Sequence, residues 1–526
     1  MIEKSKQQEI KILDLFKLPE AWKWVTVKDA GAHIKNAIVD GPFGSNLKVS
    51  DYIENGPVPV LTTKNLDGSQ KGIRYISQEK FEELKRSAVY PGDILMAKIG
   101  SCGKTGIYPK NRLPAMIPAN LLKVTLNDNF TLKYVYYYFN SSYFQNQLKT
   151  ITKATAQPAF GVTNFRKLPL PFAPLNEQKR IVAEIEKQFS RLDDAVETLK
   201  CVKANLKRYK ASVLKAAVEG KLTEEWRKKH PDVEPADKLL ERILAERCKK
   251  WEEAELAKMK AKGKVLKDGK WKMKYKEPAK PDLSDLPILP KEWKWVTWDT
   301  ILEFDKGAFK RGPFGSSLKK AIFVDSGYKV YEQYCPINDD CSFARYFITD
   351  EKYNELKAFS VQAKDFLISC SGVTLGRITQ VPEDYDEGII NQALLRVRLN
   401  NNIFDDSFFK MLFRSPYFQK QIFKNATGSA IPNVKGVNEL KAIPLPLPIF
   451  EEQREIVAIL EEYMSFIFVF DRQVDKNLKR ADRLRQSILK KAFSGQLLPF
   501  VDEYGRVIPH ELPMAAESTA AYGAKI

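Results

Sequence analysis

The order of hydrophobic and polar positions divides the chain into two kinds of segment, and each kind occurs twice. Residues 18–175 and 289–449 carry short apolar runs broken by Gly, Pro and Asn, whereas 177–218 and 451–494 contain neither proline nor glycine. In the second kind, apolar residues recur every three or four positions, which predicts long amphipathic helices. The first kind predicts short strands bounded by turns, with a few helices between them.

The apolar runs also indicate individual elements. Those at 94–97, 121–124 and 394–397 are typical of strands, and the aromatic-rich runs at 134–139 and 408–413 are typical of helices. We therefore expect a mixed α/β (α+β) fold for each of the segments 18–175 and 289–449.

Each long helix carries one narrow apolar stripe, which predicts a seam for a partner helix; packing of each helix on its own domain stays an alternative. Asn176 is placed to cap the first helix at its start, and Gly220 and Gly495 are typical of left-handed C-terminal caps. The stripe residues are Ile185, Phe189, Leu192, Leu199 and Leu206 in the first helix and Leu460, Met464, Ile467, Val474 and Leu484 in the second.

The chain is an internal duplication. The segment 18–26, which contains Trp-Lys-Trp, recurs as 289–297, and the Gly-Pro-Phe-Gly-Ser segment 41–45 recurs as 312–316, both at an offset of 271. Further repeats (141–145 with 415–419, and 167–171 near 442–446) move the offset only to about 275. Two copies of one scaffold that differ in their loops predict a tandem arrangement with pseudo-two-fold symmetry.

These patterns define seven segments. They are an N-terminal arm (1–17), a first α/β domain (18–175), a first repeated helix (176–222), a charged connector (223–288), a second α/β domain (289–449), a second repeated helix (450–497) and a C-terminal tail (498–526). The connector is expected to be helical over 236–257 and lysine-rich over 249–280. Its lysines are compatible with phosphate contacts and with simple solvation, and the residues after 513 are typical of disorder.

Charge points to an anionic partner. Lys and Arg number 85 against 66 Asp and Glu, a net charge of +19 and a pI near 9.3, which favours nucleic acid, although a merely lysine-rich surface is the alternative. Six cysteines without a C-x-x-C pair and only three histidines argue against a zinc site and a histidine-based triad. The charged N-terminus and the short apolar runs predict a cytoplasmic protein.

A search for catalytic motifs predicts none, and no metal site. The Pro-Pro loop of adenine methyltransferases is absent from the sequence, and Gly103-Lys104-Thr105 lacks the earlier glycine of a phosphate-binding loop, because that position is Lys98. Asp282 followed by Glu292-Trp293-Lys294 resembles a nuclease motif, but Glu292 corresponds to Ala21 in the other copy.

The remaining interpretation is a binding protein. Backbone amides of a Gly/Ser loop can approach phosphates, and neighbouring cations can neutralise them, although any single cation can equally be an ordinary surface charge. The loop residues are Gly41, Phe43, Gly44 and Ser45 with Gly312, Phe314, Gly315 and Ser316. The candidate DNA-binding cations are Lys48, Lys98, Lys104, Arg166, Lys310, Arg311, Lys319, Lys320, Arg377, Lys424 and Lys435. Tyrosines 136–138 are compatible with base stacking or, at helical spacing, with a core.

As an ordered set, these features resemble the specificity (S) subunit of type I restriction–modification enzymes. The resemblance covers 18 to about 497 and rests on the duplicated Trp-Lys-Trp entry, the duplicated Gly-Pro-Phe-Gly-Ser loop, the Pro-Leu-Pro segments followed by helix starts at 177–180 and 452–454, and the Gly-Lys/Gln-Leu helix ends. No motif here transfers a base-reading residue from the family.

The resemblance implies a non-catalytic subunit with two target-recognition domains, each reading one half of a bipartite, asymmetric site in double-stranded DNA. It implies an antiparallel coiled coil of the two helices, two methylation subunits that carry S-adenosylmethionine, and two restriction subunits that use ATP and Mg²⁺. Pseudo-two-fold symmetry agrees with half-sites related by a two-fold axis. The alternatives are a self-contained DNA methyltransferase with undetected motifs and a non-enzymatic basic nucleic-acid-binding scaffold.

Overall fold

A computed structural model of the chain describes residues 15–42, 46–66, 69–153, 156–263, 269–305, 307–313, 317–371, 374–423 and 436–498, and the strand residues 500–501 and 507–508. The chain forms two compact units. The first comprises 1–200 together with 475–526, and the second comprises 201–474. Each unit therefore contains one α/β domain and a part of each long helix.

Strands and helices alternate irregularly in the first half of the chain. The strands are β1 (Lys23–Thr26), β2 (Ile38–Asp40), β3 (Val58–Val60), β4 (Arg74–Ile76), β5 (Ala88–Val89), β6 (Ile94–Ala97), β7 (Thr105–Ile107), β8 (Ala115–Met116), β9 (Leu121–Val124) and β10 (Pro169–Phe172). The helices are α1 (Val27–Ala30), α2 (Gln78–Glu83), α3 (Leu132–Phe139), α4 (Ser142–Ile151), α5 (Val162–Phe165), α6 (Leu175–Val218), α7 (Glu224–Lys229) and α8 (Ala236–Ala261).

The second half repeats this order with small changes. Its strands are β11 (Lys294–Thr297), β12 (Phe309–Arg311), β13 (Tyr328–Tyr331), β14 (Phe347–Ile348), β15 (Phe366–Ser369), β16 (Ile378–Gln380), β17 (Gly388–Ile390), β18 (Leu394–Val397), β19 (Pro444–Leu447), β20 (Phe500–Val501) and β21 (Val507–Ile508). Its helices are α9 (Trp298–Ile301), α10 (Tyr334–Asn338), α11 (Asp350–Glu355), α12 (Asp406–Phe413), α13 (Pro416–Phe423), α14 (Val437–Lys441) and α15 (Phe450–Phe493). The strands at 94–97, 121–124 and 394–397 and the helices over 134–139 and 408–413 are confirmed.

The two α/β domains have corresponding sheets, with one strand fewer in the small sheet of the second, which confirms the mixed α/β duplication. The main sheet has the order β2-β9-β6-β7 in the first unit and β12-β18-β15-β16 in the second. A smaller sheet has the order β4-β3-β8-β5 in the first unit and β14-β13-β17 in the second. Each small sheet contains one parallel pair, β3 with β8 or β13 with β17, and its other pairs are antiparallel.

The repeated Trp-Lys-Trp and Pro-Leu-Pro segments occur together because they are partner strands. β1 pairs antiparallel with β10, and β11 pairs antiparallel with β19, so that the beginning and the end of each domain are joined. Trp22 donates from its indole nitrogen to Glu177 at 2.9 Å, and Trp293 donates likewise to Glu452 at 2.8 Å. These bonds connect each domain to the first turn of its long helix.

The glutamine that follows each of these glutamates holds the same turn. Gln178 and Gln453 are fully buried, and each amide group donates to two backbone carbonyls and accepts from one backbone N–H. The partners are Asn129, Ala173 and Thr131 for Gln178, and Ile403, Pro448 and Asp405 for Gln453, at 2.7–2.9 Å. The repeated Glu-Gln pair therefore satisfies buried backbone groups between domain and helix.

The long helices have equal lengths of 44 residues, as expected from the absence of insertions between the copies. Gly220 and Gly495 have φ values of +71° and +75°, and the amides at 220–221 and 495–496 close a Schellman motif on each helix end. The predicted caps are thus confirmed at both C-termini. The prediction for Asn176 is wrong, because α6 begins one residue earlier and Asn176 is an exposed residue of its first turn.

Within each unit the two long helices run antiparallel. In the first unit, Arg485 forms an ion pair with Asp193, and its guanidinium carbon lies 4.3 Å from the centroid of the Phe189 ring. In the second unit, the ring centroids of Tyr209 and Tyr463 are 6.2 Å apart. Residues late in α6 therefore meet residues early in α15, and residues early in α6 meet residues late in α15. A regular coiled coil along the full helices stays a prediction.

The predicted stripe residues are largely turned inward, with one exception. Two of the five in α6 and three of the five in α15 are buried, and four others are half-buried, but Leu484 is 44% exposed. Alternating steps of four and three from Leu460 lead to 464, 467, 471, 474, 478, 481 and 485. Arg485 therefore occupies the next position of the stripe, and Leu484 lies beside the stripe. The expectation for Leu484 is therefore wrong.

The first part of the charged connector is an element of the second unit. The helix predicted over 236–257 is present as α8, four residues longer, and its Leu239 and Ile243 are buried in the core of that unit. Arg247 donates to the carbonyl of Leu302 at 2.9 Å, and Lys294 pairs with Asp237 at 3.1 Å. These contacts show that α8 packs on the second α/β domain. Residues 264–268 of the lysine-rich stretch, and the tail after 508, lie outside the described residues.

Candidate nucleic-acid interface

Strand direction brings the repeated loops of each domain to one edge of its main sheet. β2 and β6 both pair antiparallel with β9, so they run parallel to each other and end at the same edge. There Gly41 donates its amide to Leu121, and Lys98 donates its amide to Asn120. β12 and β15 have the same relation to β18, with Gly312 bonded to Leu394.

A third loop joins this edge in each domain. Lys104 Nζ donates to the carbonyl of Thr63 at 3.3 Å in the first unit, and Gln333 Nε2 donates to the carbonyl of Ser371 at 2.6 Å in the second. We call these groups of loops the loop edges. The first loop edge comprises the described residues of 41–48, 61–73 and 98–104, and the second comprises the described residues of 312–320, 332–346 and 370–377.

The first glycine of each Gly-Pro-Phe-Gly-Ser repeat has a structural role. A Cβ atom on Gly41 would lie 2.2 Å from the carbonyl of Pro118, and one on Gly312 would lie 1.9 Å from the carbonyl oxygen of Asn391. Both amides are already bonded within the sheet, at 3.1 and 2.9 Å. The expectation that these two amides approach phosphates is therefore wrong, because close backbone packing is what requires glycine here. Phe43, Gly44 and Ser45, with Phe314, Gly315 and Ser316, lie outside the described residues.

The predicted cations of the first domain have different environments. Lys48 and Lys104 are exposed on the first loop edge. Lys98 is buried, and its Nζ lies 2.5 Å from Asp40, so it neutralises a carboxylate inside the protein in this conformation. Arg166 lies elsewhere, because its guanidinium donates to the carbonyl of Ile38 at the opposite end of β2. The structure therefore brings Lys48, Lys98 and Lys104 to the loop edge and leaves Arg166 away from it.

In the second domain, more of the predicted positive charge reaches the surface. Lys319, Lys320 and Arg377 are exposed on the second loop edge. Lys310 is half-buried, with its Nζ 5.0 Å from the centroid of the Phe359 ring. Arg311 is half-buried at the end of β12. The predicted Lys424 and Lys435 lie outside the described residues.

The register explains one charge difference between the copies. β2 and β12 occupy the same place against β9 and β18, so that Asp40 corresponds to Arg311. By the register of β6 and β15, Lys98 corresponds to Cys370. A neutral, largely buried pair in the first domain, whose Asp40 also lies 3.5 Å from exposed Arg86, is thus replaced by a single cation in the second. Burial raises the pKa of the Cys370 thiol to about 12, so the thiol adds no charge at neutral pH.

The tyrosines at 136–138 support the core interpretation. Tyr138 is fully buried and donates to the carbonyl of Pro169 at 2.7 Å. Tyr136 and Tyr137 are half-buried, and the Tyr137 ring meets Phe189 of α6 edge-on at 5.6 Å. Burial, followed by the neighbouring Glu186 carboxylate, raises the pKa of Tyr137 to about 12. These rings therefore fasten α3 to the domain core and to α6.

The third loop of each loop edge was not singled out by sequence reasoning. The loops 61–73 and 332–346 join equivalent strands, yet they differ in length and have no recognisable repeat. When the flanking strands repeat but the loop that joins them does not, the loop marks a place where the two copies diverged on a common scaffold. That divergence is a signal that the sequence alone contains. Over the described part of the chain, no three His, Cys, Asp or Glu side chains are grouped as metal ligands would be. No described helix is long and apolar enough to cross a membrane.

Comparison with known proteins gives consistent matches over both halves. A family model described as the type I restriction modification DNA specificity domain matches residues 34–208 and 290–479. The StySPI specificity subunit of Salmonella potsdam is 22% identical over 488 residues, covering 91% of this chain and 90% of that protein. The EcoKI specificity subunit of Escherichia coli strain K12 is 21% identical over 495 residues, with the same coverages.

A third relative and a solved structure extend these matches. The EcoBI specificity subunit of Escherichia coli is 25% identical over 414 residues, covering 78% of this chain and 74% of that protein. A solved chain, from work on complex assembly and conformational transition of the type I R-M system, has a TM-score of 0.58 at 17% identity. It covers 92% of this chain and 100% of that chain, which shows a shared fold. Because the family model matches more than half of the sequence, in one segment around each loop edge, this chain belongs to the type I restriction modification DNA specificity domain family.

Proposed function

We propose that this chain is the sequence-reading subunit of a type I restriction–modification complex. Each α/β domain, 18–175 and 289–449, binds one half of a bipartite and asymmetric site in double-stranded DNA. The observation that carries the proposal is the pair of loop edges. One scaffold is built twice, and the same edge of each main sheet carries exposed cations beside a loop that differs between the copies.

The chemistry of the loop edges suits this task. Exposed Lys48 and Lys104 in the first domain, and Lys319, Lys320 and Arg377 in the second, are proposed phosphate contacts that orient the domain on the duplex. Because such contacts carry no base information, specificity is assigned to the divergent loops 61–73 and 332–346. Loop divergence in two domains predicts two different half-sites.

Catalysis is assigned to partner subunits. We propose that two methylation subunits carry S-adenosylmethionine, that two restriction subunits use ATP and Mg²⁺, and that the complex acts in the cytoplasm. The three similar proteins above are each named as specificity subunits of type I restriction enzymes, which supports a recognition role without catalytic residues.

The test is the pattern of N6-methyladenine in a host genome, read by single-molecule sequencing. Cells carry the matching methylation subunit alone, with this chain, or with a chain whose residues 289–449 come from a relative. We expect a split motif only when this chain is present, and a change in one half of it after the exchange. Methylation that does not depend on this chain overturns the proposal.

Two outcomes identify the alternatives. Transfer of a labelled methyl group to DNA by the purified chain alone indicates a self-contained methyltransferase. Binding that weakens steeply with salt and shows no preference among DNA sequences indicates a basic scaffold.

A further inference from the structure

The loop 332–346 of the second loop edge is held in one conformation by contacts at several points. Gln333 Nε2 donates to the backbone of Ser371 at 2.6 Å and to the hydroxyl of Ser369 at 3.0 Å. Lys329 is 99% buried and donates to the carbonyl of Cys341 at 2.6 Å. The loop is therefore tied to β13 and to the end of β15.

A second attachment fixes the middle of the loop. Asp339 pairs with Arg414 at 2.8 Å and with Lys410 at 2.9 Å, both on or next to α12. A loop fixed from two sides presents its exposed side chains in a defined arrangement, which lowers the entropic cost of binding.

Arg345 is the cation that this loop presents. Its Nε and Nη2 donate to the two oxygens of Glu332 at 3.2 and 3.1 Å. Glu332 is mostly buried, with 13% of its side chain exposed, whereas 55% of the Arg345 side chain is exposed. The carboxylate occupies the side of the guanidinium that contains Nε. In the described part of the chain, Nη1 donates to no protein atom, so the outer edge formed by Nη1 and Nη2 is available to a ligand.

Aromatic rings restrict the guanidinium further. Its carbon lies 5.0 Å from the centroid of the Tyr346 ring and 5.8 Å from that of Phe343. Phe343 stacks on Tyr334 at 4.1 Å, and Tyr346 stacks on Phe323 at 4.4 Å. The side chain is thus oriented by a carboxylate and by two stacked ring pairs before any ligand arrives.

We propose that Arg345 reads a guanine in the DNA half-site bound by the second domain, and that Glu332 is its positioning residue. A guanidinium edge with two parallel donors matches the O6 and N7 acceptors that guanine shows in the major groove. Glu332 fixes the plane of the fork, as a carboxylate does when it leaves the outer donors free. This proposal rests on the proposed function, since it names a base contact within the assigned half-site.

The protein contains a matched control. Arg242 forms the same type of side-on pair with Glu234, through Nε at 3.4 Å and Nη2 at 2.8 Å. Arg242 is similarly exposed, at 58%, although Glu234, at 38%, is more exposed than Glu332. Arg242 lies on α8 and Glu234 just before it, away from the second loop edge. A side-on arginine–carboxylate pair alone therefore does not distinguish Arg345; its place on a divergent loop and its aromatic neighbours do.

The experiment uses the full chain with its methylation subunits. Genome methylation motifs are determined for the wild type and for Arg345→Ala, Arg345→Lys, Glu332→Gln and Arg242→Ala. Affinity is measured on duplexes that carry each base at every position of the motif. We expect Arg345→Ala and Arg345→Lys to relax one guanine position by about ten- to a hundredfold in preference, because lysine keeps the charge but loses the fork.

The relaxed guanine position should lie in the half of the motif that changes when residues 289–449 are exchanged for those of a relative. Glu332→Gln should relax the same position less strongly, and Arg242→Ala should leave the motif unchanged. Thermal unfolding of each variant reports on folding. If Arg345→Ala does not fold, Arg345→Lys decides the question, since it preserves the ion pair with Glu332.

The outcomes separate this proposal from the proposed function. If the wild-type chain directs no split motif, the proposed function fails. If the wild type directs a split motif and the Arg345 variants keep it with unchanged discrimination, the assignment of Arg345 is wrong. Equal weakening on all sequences would make Arg345 a phosphate contact and would also overturn the assignment.

Discussion

At the scale of single residues, most of the repeated side chains maintain the scaffold. The tryptophans, the Glu-Gln pairs and the first glycine of each Gly-Pro-Phe-Gly-Ser repeat all contact the protein itself. Repetition of these side chains therefore marks packing, whereas divergence marks the loops proposed to read bases. Arg345, which lies on one of the two divergent loops, shows the difference.

Replacement of Gly312 by alanine tests the packing role. Its Cβ would meet the Asn391 carbonyl oxygen at 1.9 Å, so Gly312→Ala must displace the backbone before β18. We expect a loss of about 1–3 kcal/mol or more in the free energy of unfolding. Thermal or urea denaturation measures it. Gly161→Ala is the control, because nothing lies within 4 Å of its Cβ and its φ is −91°; equal losses in both variants would contradict the packing explanation.

The pH dependence of Asp339 tests the attachment of loop 332–346. Burial alone raises the pKa of Asp339, but hydrogen bonds from Arg414 and Lys410 outweigh it and lower the pKa to about 2, from an ordinary 3.8. The carboxylate is therefore more stable in the folded state, and its contribution is complete above about pH 4 and lost as the pH falls toward 2. Since 40% of the side chain is exposed, the contribution is modest, about 1 kcal/mol or less per pair.

Comparison of the wild type with Asp339→Asn measures this contribution. At neutral pH the variant should unfold at a lower temperature, and the difference should shrink between pH 4 and pH 2. A difference that stays constant over that interval would mean that the ion pairs do not stabilise the fold.

At the scale of elements, the two long helices have the same length and the same kind of start and end. Both have 44 residues, both end in a Schellman motif at a glycine, and both begin with a Glu-Gln pair bonded into the preceding domain. The two helices agree in length and in their ends, so they differ mainly in the side chains along the seam between them. In that seam, charged side chains interrupt the apolar stripe. Arg485 occupies a seam position in α15 and pairs with Asp193 of α6.

Alanine substitutions distinguish the seam from its flank. Val474 is 5% exposed and Leu484 is 44% exposed, although both are apolar residues of α15. We expect Val474→Ala to lower the free energy of unfolding by about 1–3 kcal/mol, because it leaves a cavity. Leu484→Ala should change it by less than about 0.5 kcal/mol, despite the larger deletion. Urea denaturation compares the two; a larger effect at Leu484 would place that residue in the seam.

At the scale of the whole molecule, the net charge is +19, and the cations behind it have different environments. Some cations, such as Lys98, pair with carboxylates inside the fold, and others, such as Lys319 and Lys320, are exposed on a loop edge. Under the proposed function, the exposed group sets the electrostatic part of DNA affinity, and the divergent loops set specificity.

Salt dependence measures the exposed group. Lys319→Ala and Lys320→Ala should each reduce the slope of log K against log salt concentration by about 0.9, if each lysine neutralises one phosphate. The preference for the cognate site over other sequences should stay the same. Lys291→Ala is the control, since 92% of its side chain is exposed but it lies outside the loop edges. Equal slopes for all four proteins would remove Lys319 and Lys320 from the interface.

The sequence by itself determined the architecture of this protein to a large extent. The duplication, the α/β character, the equal long helices and their glycine ends follow from signals carried by residues close together in the chain, since helical periodicity and C-terminal caps are local properties. The family resemblance drew on the same ordered set of local motifs.

Only the tertiary structure decided the environment of each candidate residue. Lys98 meets Asp40 across two strands, Gly312 meets Asn391, and Leu484 turns outward beside Arg485. Arg345 becomes distinctive only beside Glu332 on a loop held by α12 and β15. These partners are distant in sequence and are brought together by strand register and helix packing, and a pattern of hydrophobic and polar residues gives the type of an element but not its register.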